Sequence, residues 1–184
     1  MKIFQVCAAL GAAAIMALTA LPQGNTPMVG GAAMYPSKTI VQNAMEASNL
    51  TTLVTAVKAA GLVDTLQGPG PFTVFAPTND AFNKLPAGTV DTLVKPENQD
   101  QLKKVLTYHV VPGRITSAKL AAMIKKGGGQ AVLKTVEGGT LTAMMDGSNI
   151  VLKDEKGGTS TVTQADVMQK NGVVHVIDSV LMPS

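Results

Sequence analysis

Two histidines, His109 and His175, are the residues of this chain best suited to acid–base or metal chemistry. Zinc needs three or four ligands at short, regular spacing. The single cysteine, Cys7, lies far from both histidines in sequence, and no His-x-x-x-His or Glu-x-x-His pair occurs. No metal and no other cofactor is therefore expected. Both rings read as structural, their nitrogens satisfying buried backbone or carboxylate groups. Asp178 follows His175 by three residues, and strand parity puts the two on opposite faces.

Other reactive arrangements are missing. The serines at 37, 48, 117, 148, 160, 179 and 184 all lie outside any Gly-x-Ser-x-Gly elbow. Asp146-Gly147-Ser148-Asn149 lacks the register and terminal Glu of a calcium loop. Gly127-Gly128-Gly129 is not followed by Lys-Ser/Thr, so it is no phosphate loop. Lys125-Lys126 beside it reads as a solvated helix end with at most a weak anionic contact. The methionines are scattered and suit core filling better than copper. An enzyme is not expected.

Composition narrows the partners. The 184 residues are 46% hydrophobic and 15% charged, with a formal net charge of +3, four Phe, two Tyr and no Trp. So few rings argue against a single-strand nucleic-acid platform, and so small a charge argues against DNA. Lys2 followed by the apolar run Ile3 to Leu21 has the layout of a signal peptide. The rival reading is an uncleaved anchor, which would be the chain's only membrane contact. Cys7 would leave with the cleaved segment. Residues 1–23 are thus assigned to the signal, 24–36 to a flexible, Pro- and Gly-containing linker, and 37–184 to one domain.

The elements that must position the histidines follow from periodicity. Ile40, Val41, Ala44 and Met45 mark a short helix capped by Ser37, and residues 50–60 a second helix ended by Gly61. Phe72 to Ala76 reads as a strand stopped by Pro77, after which Thr78 caps a helix and Asp80 favours its positive end. Residues 97–106 and 118–125 are further helices. Tyr108 to Val111 reads as a strand, which would turn at most one of the Tyr108 and His109 rings inward. From residue 131 onward, β-branched runs separated by Gly turns describe an antiparallel meander. Helices early and strands late indicate α+β organisation.

Three stretches resemble the fasciclin (FAS1) family. They are Gly70 to Phe82, which contains Phe72, Phe75, Pro77, Thr78, Asn79, Asp80 and Phe82; Tyr108 to Gly113; and Asn171 to Asp178, which contains Asn171, Gly172, His175 and Asp178. Their order and spacing cover residues 37–184. The resemblance implies two antiparallel sheets packed as a wedge or sandwich with several helices. It also implies an exported module, periplasmic, cell-surface or extracellular, that mediates cell adhesion or matrix attachment. Tyr108 and His109 are the expected partner-binding residues, and the other named positions the structural framework. Gly157-Gly158-Thr159-Ser160 departs from the usual hairpin before the last stretch. The partner is expected to be a protein or cell-surface component. The alternative is a periplasmic protein that binds a polysaccharide or small ligand.

Overall fold

The computed structural model describes residues 26–184. The signal segment, Cys7 and the start of the linker lie outside them. Thr39 caps the first helix, α1 (Ile40–Glu46), in a reciprocal box: its hydroxyl accepts from Gln42 N–H and the Gln42 side chain accepts from Thr39 N–H. The cap is therefore two residues later than Ser37. Helices α2 (Thr51–Ala59) and α3 (Val63–Gln67) follow, joined through Gly61 at φ +68°. That left-handed position is one glycine occupies without a Cβ penalty.

Ahead of α1, strands β1 (Met28–Val29) and β2 (Ala32–Ala33) form a small hairpin. Val29 and Met34 are only 3% and 2% exposed. The segment expected to be a flexible linker is thus part of the packed domain from Met28 on.

Strand β3 (Phe72–Pro77) leads into α4 (Asn79–Asn83) and α5 (Thr89–Leu93). A 3-10 turn at Pro96–Asn98 opens α6 (Gln99–Tyr108), and β4 (Val110–Pro112) and α7 (Ser117–Lys126) follow. The meander comprises β5 (Gln130–Lys134), β6 (Thr140–Asp146), β7 (Asn149–Lys153), β8 (Thr159–Gln169) and β9 (Gly172–Ile177). Its strands pair antiparallel in chain order.

The expectation of purely antiparallel sheets is corrected. Seven strands run in one hydrogen-bonded order, β4-β3-β9-β8-β7-β6-β5, and β3 pairs with β9 in parallel from Phe72↔Gly172 to Pro77↔Ile177. Just beyond β5, Val136 N–H donates to Val110 O in β4 at 2.8 Å, so the two ends of the order meet. Every residue of β9 is buried, as expected of a strand covered on both faces. Val174 and Val176 join Val74 and Ala76 beneath α1, α2 and α6 in one apolar cluster. Ile177 and Phe75 face a second cluster with Leu120 and Ile124 of α7 and the inner side of the meander.

Candidate functional site

The stretch read as a strand from Tyr108 is a helix end. Tyr108 is the last residue of α6 and His109 its C-cap, and β4 begins only at Val110. Strand parity therefore does not apply, and both rings turn inward, 0% and 2% exposed. Neither presents surface to a partner in this conformation.

Tyr108 instead joins three segments. Its hydroxyl donates to Thr140 O at 2.7 Å and accepts from Glu155 N–H at 3.2 Å. Its ring lies against Gly139, where an added Cβ would come within 2.7 Å of it. Burial pushes the phenol up to about 12, partly opposed by the Glu155 N–H. One side chain thus ties the end of α6 to the β5–β6 and β7–β8 turns.

His109 links α6 to the C-terminal segment. Leu181 N–H can only donate, so the Nε2 it meets at 3.0 Å accepts, and Nδ1 carries the proton to Val105 O at 2.8 Å. Burial lowers the imidazole to about 4, against the weaker pull of the Val105 bond and of Asp154. His175 repeats the arrangement. Its Nδ1 accepts from Asp166 N–H at 3.3 Å, its Nε2 donates to Ile115 O at 2.8 Å, and burial again lowers its pKa. The ring stacks on Phe75 with centroids 5.5 Å apart, a contact the parallel β3–β9 register makes. Neither histidine has a free lone pair, so neither is placed to act as a general base.

The framework residues are mostly caps and closures. Phe75 is 0% and Phe82 7% exposed, while Phe72 is half-buried and Pro77 buried at the end of β3. Thr78 caps α4 by accepting from Ala81 N–H at 3.3 Å, and exposed Asp80 stands in that helix's first turn. Asn79 reaches back to α2, whose own N-cap residue, Leu50, makes no side-chain bond. It accepts from Thr52 N–H at 3.0 Å and donates to Ser48 O at 3.1 Å. Asn171 accepts from Ile40 N–H at 3.1 Å and donates to Leu66 O at 2.6 Å. Gly172 lies so close to β3 that a Cβ would collide with the Phe72 carbonyl oxygen. Asp178 accepts from Thr161 N–H at 2.8 Å and lies 3.6 Å from Lys84, with no bond to His175.

Two carboxylates that sequence reasoning missed complete the network. Asp154 accepts from Gly158 N–H at 2.6 Å and from Met182 N–H at 3.0 Å, closing the β7–β8 turn and holding the C-terminal segment. Its signal was the Gly157-Gly158 departure, where a short acceptor four residues earlier can close the turn. Asp166 adopts φ +57° amid register shifts in β8 and accepts both Ser117 N–H and the Ser117 hydroxyl. Its only signal was the break in alternation at Ala165–Asp166.

Among the described residues no three His, Cys, Asp or Glu side chains gather to hold a metal, and no helix is long and apolar enough to cross a membrane. A cleft of about 460 Å³ opens between α5, α6 and the C-terminal segment, bordered by Thr89, Thr92, Gln101, Lys104 and Lys156.

The fold and its framework have relatives. Protein sll1483 of Synechocystis sp. is 47% identical over 156 residues, covering 85% of this chain and 79% of its own length. Immunogenic protein MPB70 of Mycobacterium bovis is 39% identical over 148 residues, covering 76% and 68%. Among solved structures, a FAS1 domain pair from the insect cell adhesion molecule Fasciclin I matches with a TM-score of 0.71 at 20% identity, over 80% of this chain and 51% of that one. The Fasciclin domain family model matches residues 48–183, and the chain belongs to that family.

Proposed function

We propose that this protein is an exported, non-enzymatic interaction module that attaches cells to one another or to a matrix, in the periplasm, at the cell surface or outside the cell. The observation that carries this reading is the shared fold with a domain pair of an insect cell adhesion molecule. The use of both histidines, Tyr108 and the signature carboxylate Asp178 for internal bonds supports a binding role over a catalytic one. The partner is a protein or cell-surface component. Tyr108 and His109 serve it from within, by fixing the surfaces around the β5–β6 turn and the C-terminal segment.

Deleting the gene and adding the purified protein back tests the reading: attachment or clumping falls on deletion and returns on addition. Unchanged attachment in the deletion strain overturns it. Mass spectrometry of the N-terminus in cell fractions reports whether residues 1–23 are removed. The polar cleft of about 460 Å³ favours the second reading, a polysaccharide- or small-ligand-binding protein, because its size falls in the ligand range. Saturable binding on a glycan array, with no attachment phenotype, would favour that reading over adhesion.

A further inference from the structure

Charge is distributed very unevenly along the chain. Residues 101–136 hold seven of the fifteen basic residues and no Asp or Glu. The remaining eight basic residues face all twelve acidic ones, so the rest of the chain carries a net −4 although the whole carries +3. Helix α7 lies within the acid-free stretch. Leu120 and Ile124 bury into the second cluster at 0% and 2% exposure. The opposite side consists of Ala118, Lys119, Ala122, Lys125 and Lys126, all exposed. At 3.6 residues per turn these five span an arc of about 120°. Among the described residues no ion pair involves Lys119, Lys125 or Lys126. Beyond the helix, Gly128 and Gly129 leave the approach open, with no atom near where a Cβ would stand.

We propose that this face of α7 is a docking surface for an acidic polysaccharide, a polymer of carboxylated sugars held by Lys119, Lys125 and Lys126. The choice of partner follows from what the face presents. Its three lysines form no ion pair among the described residues, and the carboxylate at the start of the helix, Asp166, is engaged by Ser117, so the face selects an anion. It has no aromatic ring on which a base could stack, which disfavours single-stranded nucleic acid. Its apolar residues are two alanines, too small to anchor a helix in lipid. A polyanion recognised by spaced charge remains. This inference rests on the adhesion reading, since it names the envelope or matrix component that the module would grip.

The test uses the full chain on alginate beads, with dextran beads and phosphatidylglycerol vesicles alongside. Wild-type protein is expected to bind alginate, to release as salt rises, and to ignore dextran. The triple variant Lys119→Gln/Lys125→Gln/Lys126→Gln is expected to bind roughly tenfold more weakly with an unchanged melting temperature. A control, Lys58→Gln/Lys95→Gln/Lys170→Gln, removes the same charge from exposed positions elsewhere and is expected to stay within about twofold of wild type. Equal losses in the two variants would show that net charge alone is responsible and overturn the proposal. Binding to the vesicles as tight as to alginate would overturn it in favour of a lipid surface. Cell attachment separates the two levels of inference. If the α7 variant restores attachment in the deletion strain as well as wild type does, this surface is wrong and the adhesion reading stands. If deletion itself leaves attachment unchanged, the adhesion reading fails whatever the beads show.

Discussion

Each buried histidine satisfies one backbone donor and one backbone acceptor, and protonation would set N–H against N–H at Leu181 and at Asp166. The sign of the pH dependence follows. His109 is lowered in the fold from 6.5 to about 4, so between those values the unfolded chain takes up a proton that the native chain refuses. The stabilisation that neutral His109 contributes is full well above pH 6.5 and is lost as pH drops, by about 3 kcal/mol near pH 4. His175 adds a loss of the same sign. Melting temperatures from pH 7.5 to 4.5 should fall steadily, and His109→Gln should flatten the slope while lowering stability at pH 7.5; an unchanged slope would mean His109 does not titrate this way. Tyr108→Phe tests the neighbouring ring. It leaves the Glu155 N–H and the Thr140 carbonyl short of a partner, at a cost of about 1–3 kcal/mol by denaturant unfolding. Burial of the Tyr108 and His109 rings could not be foreseen while Tyr108 was read as a strand residue. Leu102, Val105 and Tyr108 recur every three residues with Leu106 beside them, a helical spacing, but the β-branched run Val110-Val111 closed by Pro112-Gly113 reads as a strand and draws Tyr108 into it.

At the scale of elements, the sequence carried the local signals well and the long-range ones poorly. Helix faces, the Thr78 cap, the stop at Gly61 and the five-strand meander were legible because each depends on residues a few positions apart. The parallel β3–β9 pair was not, since its strands lie about a hundred residues apart and neither carries a mark of its partner. That pairing lays the first and last signature stretches side by side and explains the apolar, β-branched runs at the centre of both. Asn79 was equally hidden, because it serves a helix that precedes it by nearly thirty residues. Asn79→Ala should uncap α2 and cost about 1 kcal/mol, whereas Asp80→Ala, at an exposed position in the first turn of α4, removes only a helix-end charge and should cost about half that or less. Equal effects in chemical denaturation would assign the Asn79 contribution to α4 and not to α2.

For the whole molecule, the boundary of the folding unit differs most from what composition suggests. Residues 24–36 carry no charge and contain Pro27, Pro36, Gly24, Gly30 and Gly31, a tether's composition. The structure nevertheless inserts Val29 and Met34 into the first apolar cluster, beside Ile40, Leu50 and Leu53. Ser48 N–H and its hydroxyl both bond Gly30 O, and Asn43 bonds the Tyr35 carbonyl at 2.8 Å. Gly30 and Gly31, at φ +56° and +79°, make the tight turn of a hairpin here, and the two buried side chains hold it against α1. Full burial of a Val or Met side chain contributes about 1.5–3 kcal/mol, so a chain beginning at Ser37 should be less stable by about 3 kcal/mol or more than one beginning at Thr26. Urea unfolding of the two chains measures the difference. If they unfold at the same midpoint, the hairpin contributes nothing to the domain, and residues 24–36 act as the tether their composition suggests; if they differ as expected, any surface display of this module needs its flexible spacer upstream of Met28.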